Sequence, residues 1–250
     1  MTQRLANAWS PDDAYVLDAL RDADVRDLDL LYDSSNYVFV AALAHQRYGD
    51  GLAVYKPAAG EAPLSDFPYG TLHRREIAAY ELSRLLGWGI VPPVVEREGP
   101  RGIGSMQLFI EHDPTQHYFR LRGEDSYRDQ FVRIATFDLV ANNADRKGGH
   151  LLLDPRGHIW GIDNALSFHR IDKLRTVVWD FAGTMVSDAL MADIERVQGC
   201  IEAEDEGSDA LRALLHPAEV SALLKRCAAV LSHPVLPEMY PWRCVPWPLV

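Results

Sequence analysis

The sequence predicts an α+β chain of two lobes: a helical segment over residues 1–27, a β-rich lobe over 28–105 and a mainly helical lobe over 106–250, with a cleft between the lobes. Two observations carry this prediction. Short runs of β-branched and aromatic residues, set between glycine and proline turns, crowd the stretch up to Ile110. Apolar residues at helical spacing dominate the remainder of the chain.

Ser10-Pro11-Asp12-Asp13 offers a capping hydroxyl, a first-turn proline and acidic residues near the positive helix end, and predicts a helix over 11–27. Leu28 to Tyr32 predicts a first strand. Tyr37-Val38-Phe39-Val40 and Leu52-Ala53-Val54-Tyr55, with Tyr48-Gly49-Asp50-Gly51 turning between them, predict a hairpin. Pro57 to Gly70, rich in Pro, Gly and Ala, reads as a loop. Ala78, Leu82, Leu85 and Leu86 share one face of a helix over 73–86, which Gly87 and Gly89 end. Ile90 to Glu96 and Ser105 to Ile110 predict two more strands, joined through the turn Gly99-Pro100-Arg101-Gly102. Phe131, Ala135 and Leu139 lie on one face of a helix over 126–142. Leu151-Leu152-Leu153 and His158 to Ile162 predict two short strands about the Asp154-Pro155-Arg156-Gly157 turn. Residues 186–199 and 217–231 read as helices. Pro241 to Val250 holds too much Pro and Trp for a helix and is expected to pack along the second lobe.

Composition narrows the class. Of 250 residues, 48% are apolar and 24% charged, the mix of a soluble globular protein. No apolar run approaches the roughly 20 residues that span a bilayer, and Met1 to Ser10 lacks a signal-peptide pattern. Cys200, Cys227 and Cys244 are sparse and odd in number, which fits a reducing cytoplasm better than a disulfide framework. The net charge of −11 repels nucleic acid and anionic lipid, so neither nucleic acid nor stable membrane association is expected. The short basic clusters His73-Arg74-Arg75 and Arg120 with Arg122 read as solvated charge.

The chemistry concentrates in Asp145-Arg146-Lys147-Gly148-Gly149-His150, followed by Ile162-Asp163-Asn164. An aspartate followed by arginine, a turn, a short apolar run and a second aspartate matches a kinase-type catalytic loop and metal site. Asp145 can orient an attacking hydroxyl, although a lone aspartate there would also cap a turn. Asp163 closes an apolar strand, where a carboxylate is costly unless a metal or hydrogen bonds compensate it. Arg146 and Lys56 join Asp145 as catalytic candidates. Lys56 ends an apolar strand and can reach phosphate or snorkel to solvent. Glu76, near a helix start, can hold that lysine by an ion pair. Ser34-Ser35-Asn36 can cover phosphates with hydroxyls and backbone N–H groups. His150, His158 and His169 lie near Asp163, but their spacing matches no zinc signature, which argues against a zinc hydrolase. His158 reads as an exposed turn residue. Asp180 reads as either a partner of the catalytic-loop backbone or a helix cap.

Ile162-Asp163-Asn164-Ala165-Leu166-Ser167-Phe168, Val54-Tyr55-Lys56-Pro57, Glu76-Ile77-Ala78-Ala79-Tyr80 and Gly89-Ile90-Val91-Pro92-Pro93 resemble the phosphatidylinositol 3-/4-kinase superfamily. The type II phosphatidylinositol 4-kinases are the nearest of its well-known members. A group of small, largely actinobacterial proteins named phosphatidylinositol kinase-like is similar to the chain over most of its length. The resemblance covers roughly residues 30–185 and implies a bilobal protein-kinase-like fold with ATP in the cleft. It implies that Lys56 binds phosphate, Glu76 pairs with it, Asp145 is catalytic and Asp163 binds metal. It also implies an adenine-binding hinge of Gln107, Leu108, Phe109, Ile110 and Glu111.

Two departures bear on function. The family places a metal-ligating asparagine where this chain has His150, and imidazole suits Mn²⁺ or Zn²⁺ better than Mg²⁺. Either that metal site is altered, or Asn142 or Asn143 takes part, or catalysis is weak. The cysteine-rich lipidated loop of type II lipid kinases has no counterpart. The expectation is an ATP-dependent phosphotransferase with ATP and Mg²⁺ (or Mn²⁺) as cofactors and Asp163 and His150 at the metal. A protein acceptor, the chain itself included, or a small molecule ranks ahead of an inositol lipid. The alternative is a nucleotide-binding pseudokinase acting as a scaffold or regulatory protein.

Overall fold

The structure is a computed structural model and describes residues 7–31 and 37–250. The chain divides into two compact units, one of residues up to 77 with 92–110, the other of 78–91 with 111–250. The α+β class expected from sequence is the class observed. The first unit holds a five-stranded antiparallel sheet, and the second is mainly helical with a two-stranded ribbon.

In the first unit α1 (Val16–Asp22) leads into β1 (Asp24–Leu31), β2 (Val38–His45) and β3 (Gly49–Pro57). α2 (Leu72–Leu86) begins in this unit and ends in the second. β4 (Val94–Gly99) and β5 (Gly102–Leu108) complete the sheet in the order β1-β2-β3-β5-β4, every pair antiparallel. Ala41, Leu43, Ala53 and Tyr55 alternate along β2 and β3 and turn inward, so both strands bury one face. Val16, Ala19 and Leu20 of α1 are buried as well. The Arg97 guanidinium of β4 donates to the Leu20 and Ala23 carbonyls at 3.0 and 2.9 Å, satisfying the end of α1.

The helix expected over 11–27 forms only over Val16–Asp22. Ser10 and Asp13 close a local turn, the Ser10 N–H donating to Asp13 Oδ2 at 2.7 Å, so Ser10 does not cap a helix. From Asp24 the chain pairs with β2, and the sheet takes the backbone bonds a longer helix would have used. Charged Asp24, Arg26, Asp27 and Asp29 line this outer strand, which suits an edge. The hairpin β4–β5 is tighter than the sequence suggested, with Gly99 paired directly to Gly102.

The second unit contains α3 (Tyr118–Leu121), α4 (Arg128–Ala141), β6 (Leu151–Leu153), β7 (Ile159–Gly161), α5 (Asp188–Glu202), α6 (Asp209–Leu214) and α7 (Pro217–Ser232). Its core joins Leu82, Ile90, Phe131, Phe137, Phe168 and Leu223. α4 is buried almost all round rather than on one stripe, with Phe131, Ile134, Phe137 and Val140 all covered. α3 and α6 are too short to leave a periodic signal. The tail packs on this unit, where the Cys244 carbonyl accepts from the Thr176 N–H at 3.1 Å. Among the described residues no helix is long and apolar enough to cross a membrane.

Candidate functional site

β3 ends on Lys56 and Pro57, and the register partner of Lys56 on β5 is Ser105. The Lys56 Nζ lies 2.5 Å from Glu76 Oε1, with the lysine side chain 21% and the glutamate side chain 2% exposed. The pairing expected from sequence is therefore present and largely withdrawn from water. Glu76 rides on α2, and Glu61 fixes the start of that helix. Glu61 Oε1 accepts the His73 N–H at 3.0 Å and lies 3.2 Å from His73 Nδ1. Burial pushes the Glu61 carboxyl up, but its hydrogen bonds with the His73 side chain and the His73 and Leu72 amides outweigh burial and leave it below its ordinary value. His73 and Arg75 are buried, and Arg75 stacks on Phe67 with 4.9 Å to the ring centroid, so this basic cluster is no solvated patch.

Ser34, Ser35 and Asn36 lie outside the described residues. Of the expected hinge, Gln107 and Leu108 close β5 and are buried, Ile110 is buried, and Glu111 is exposed at the start of the second unit. The Leu108 N–H donates to the Pro93 carbonyl at 2.8 Å and the Phe109 N–H to the Leu52 carbonyl at 3.0 Å, which commits both amides to main-chain pairing. Gln107 Nε2 is buried with no hydrogen-bond partner among the described residues.

In the second unit Asp145, Lys147, His150 and Asp163 form one connected array. Lys147 Nζ lies 3.3 Å from Asp145 Oδ2. The Lys147 N–H donates to His150 Nδ1 at 3.3 Å, which puts the imidazole proton on Nε2, 3.3 Å from Asp163 Oδ2. Burial pushes the Asp145 carboxyl above its ordinary value; Lys147 pulls it back and the charge of Asp163 adds to the rise. The two aspartates thus feel each other. Asp163 has a left-handed backbone (φ 56°) and a side chain 43% exposed.

Arg146 braces the array from behind. It is fully buried against the equally buried Asp138 of α4, its Nη2 lying 2.9 Å from Asp138 Oδ1. The same guanidinium donates to the Ile162 carbonyl at 2.7 Å and to Asn164 Oδ1 at 2.6 Å, gripping the residues on either side of Asp163. Arg146, counted among the catalytic candidates, is placed as a buried strut that acts through its neighbours.

The asparagines that stood as alternatives to His150 serve the turn. Asn142 Nδ2 donates to the His169 and Ile171 carbonyls at 2.9 and 2.8 Å, and its Oδ1 accepts from the Lys173 N–H at 2.7 Å. Asn143 Oδ1 accepts the Asp145 N–H at 2.9 Å. Asp180 accepts from Tyr118 Oη at 2.5 Å and from Arg122 at 3.1 Å, so neither expected role describes it. His158 is half-buried, with Nε2 2.8 Å from the Gly89 carbonyl, rather than exposed. Among the described residues no group of three or more His, Cys, Asp or Glu is placed to hold a metal ion.

Sequence reasoning missed Lys147, Asp138 and Glu61. Asp138 had a readable signal: it falls seven residues after Phe131, on the apolar face of α4, where a carboxylate needs a partner. Lys147 stands two residues after Asp145, close enough to pair in a loop. Glu61, twelve residues before His73, left no local sign.

Fold and site define an α+β chain whose second unit gathers two aspartates, a lysine and a histidine around one buried arginine. Comparison with known proteins places it further. The chain is 38% identical over 229 residues to Protein Rv2133c of Mycobacterium tuberculosis, covering 78% of this chain and 81% of that one, and it belongs to the family of that protein. No family model matches. Among solved structures the chain is similar to the crystal structure of a Helicobacter pylori proinflammatory kinase, CtkA, with a TM-score of 0.47 and 10% identity over 84% of this chain and 97% of that chain.

Proposed function

We propose that the chain is an ATP-dependent phosphotransferase of the phosphatidylinositol 3-/4-kinase-like type, acting on a hydroxyl of a protein, itself included, or of a small molecule in preference to an inositol lipid. The observation that carries this reading is the connected array of Asp145, Lys147, His150 and Asp163, with Lys147 Nζ 3.3 Å from Asp145 and His150 Nε2 3.3 Å from Asp163. A carboxylate whose proton affinity is raised by burial, and further by the charge of a second carboxylate, suits a site that handles a cation or a transferred proton.

The donor set suits Mg²⁺ rather than a cation needing a protein cage, since Mg²⁺ keeps waters and phosphate oxygens beside one or two carboxylates. Asp163 is the residue that would hold it. Gln107 Nε2, a buried donor with no partner among the described residues, is the kind of group a purine nitrogen can satisfy. Bound Mg²⁺ and ATP supply the phosphoryl group and the charge neutralisation its transfer needs.

The chain's own groups do the positioning. Lys56, steadied by Glu76, offers its ammonium to phosphate. Asp145 accepts the hydrogen bond of the attacking hydroxyl, and its raised affinity for protons suits it to take that proton. Lys147 keeps the Asp145 charge in place. His150, donating from Nε2, orients the Asp163 carboxylate as an outer-shell partner instead of ligating metal itself. Arg146 keeps the two aspartates in register.

A radiolabel transfer assay with lysate, lipid vesicles and no added acceptor tests the proposal. Asp145→Asn and Asp163→Asn are each expected to lower transfer by about 10²-fold or more; unchanged transfer in both would defeat it. Labelling mainly of vesicles would reverse the acceptor ranking. The His150–Asp163 contact also favours a second reading, a nucleotide-binding pseudokinase, which ATP would stabilise thermally without being consumed.

A further inference from the structure

Gly148 and Gly149 separate Lys147 from His150, and both meet the C-terminal tail. The Gly148 N–H donates to the Leu249 carbonyl at 2.7 Å. A Cβ on Gly148 would stand 2.9 Å from the Phe119 ring and 3.3 Å from the Leu249 oxygen, and one on Gly149 would stand 3.6 Å from Val250 Cγ1. Neither glycine has a left-handed backbone. What glycine supplies at 148 is room for the close approach of Phe119 on one side and the tail on the other.

The tail reaches that point along a series of bonds. The Val186 N–H donates to the Pro234 carbonyl at 2.8 Å, and the Leu236 N–H donates to the Thr184 carbonyl at 2.9 Å. Tyr240 Oη donates to the Leu174 carbonyl. The Cys244 carbonyl accepts from the Thr176 N–H and from Trp179 Nε1, both at 3.1 Å. The segment 174–179 also grips the 145–150 loop from its other end: the Arg146 N–H donates to the Arg175 carbonyl at 3.0 Å, and the Val177 N–H donates to the Arg146 carbonyl at 3.1 Å. Loop, segment and tail therefore close a ring of hydrogen bonds around the residues that carry Asp145 and Lys147.

We infer that residues 234–250 form a positioning strap that holds the 145–150 loop in its working shape, with the Leu249 carbonyl as the contact that fixes Gly148. What the loop then does rests on the phosphotransfer reading, whereas the strap contact does not. The ring needs both ends. Freed from the tail, the loop keeps its Arg175 and Val177 bonds but loses its hold on the Lys147–Gly148–Gly149 turn, and with it the spacing of Lys147 and His150.

Two variants test this. One deletes residues 247–250. The other, Trp179→Phe with Tyr240→Phe, removes two side-chain donors that anchor the tail and leaves the loop sequence intact. The primary readout is amide hydrogen exchange at Gly148. Exchange there is expected to quicken about tenfold or more in both variants, the effect of losing a single hydrogen bond's local protection, while amides in β3 and β5 keep their rates. In the transfer assay kcat is expected to fall about tenfold or more with KM for ATP within about twofold, because misplacement of the loop acts on the reacting geometry. Unchanged Gly148 exchange on deletion would overturn the strap, as would transfer that stays level or rises when the tail is released. If deletion also loosens β3, the double substitution decides. Faster Gly148 exchange in a protein whose parent transfers no phosphate would support the strap and sink the phosphotransfer reading instead.

Discussion

Arg146 has no exposed surface, and its guanidinium meets Asp138, the Ile162 carbonyl and Asn164. Burial pushes the Asp138 carboxyl up and Arg146 opposes that rise, so each charge depends on the other for compensation. Arg146→Met leaves a buried carboxylate unpaired and is expected to cost about 3–5 kcal/mol in urea unfolding. Adding Asp138→Leu should restore part of that loss, because an apolar pair needs no compensation; a further loss would show that the arginine's grip on Ile162 and Asn164 dominates. Glu61 gives a pH test with a defined sign. Its folded-state pKa lies below the ordinary value, so its stabilisation is present above about 4.3 and is lost as pH falls through the folded value. Glu61→Gln should therefore flatten the acid limb of stability relative to the parent; parallel curves for the two proteins would refute this. At this scale the sequence pointed to the Lys56–Glu76 pair and singled out Asp145 and Asp163 as candidates, because carboxylates and a lysine at strand and helix ends invite a functional explanation. It did not tell that Arg146 points inward. That depends on Asp138 lying opposite, and a loop residue's direction is set by packing rather than by its own type.

The strands that position Lys56 are held by a close backbone approach. A Cβ on Gly104 would stand 2.3 Å from the Lys56 carbonyl oxygen and 2.7 Å from Pro57 Cα, neither of which can step aside as a flexible side chain would. Gly104→Ala is expected to cost at least about 1–3 kcal/mol and to separate β5 from β3 where Lys56 sits. Loss of exchange protection confined to β3 and β5 would confirm the location, and an unaltered melting curve would contradict it. In the second unit the hydroxyl of Ser83 accepts from the Ile90 and Val91 amides at 2.8 and 3.2 Å, all buried, and so folds the chain back after α2. Ser83→Ala strands these donors and should cost about 1–3 kcal/mol by denaturant unfolding, a value near zero showing that water replaces the hydroxyl. The β2–β3 hairpin, α2 and the β6–β7 ribbon were legible because alternation, helical spacing and turn residues agree within each. The end of α1 was not. Residues 11–27 carry helix-start signals at one end, yet Asp24 onward is claimed by pairing with β2, a partner some twenty residues away in the chain.

The two compact units draw on different parts of the chain, since 78–91 belongs with the second and 92–110 returns to the first. No local pattern announces that interleaving. Nor does one announce that Leu249 bonds to Gly148. Contacts at this separation are fixed by the whole fold, and composition sets only their polarity. The proposed function makes its own demand at this scale: Lys56 and Asp163 must each contribute to nucleotide affinity. A ligand that binds only the folded chain adds about 2.7 kcal/mol of stability at a free concentration about a hundred times Kd. For a chain of this length that corresponds to a rise in Tm of roughly 5–10 °C. ATP with Mg²⁺ is expected to give such a rise in the parent and to lose most of it in both Lys56→Ala and Asp163→Ala, each measured against its own ligand-free melt. A rise abolished by Lys56→Ala but kept by Asp163→Ala would describe a nucleotide site that works without the metal carboxylate, which is the pseudokinase case. A rise untouched by either substitution would mean that the nucleotide binds somewhere else, and the array that links Asp145 to Asp163 through Lys147 and His150 would then need another explanation.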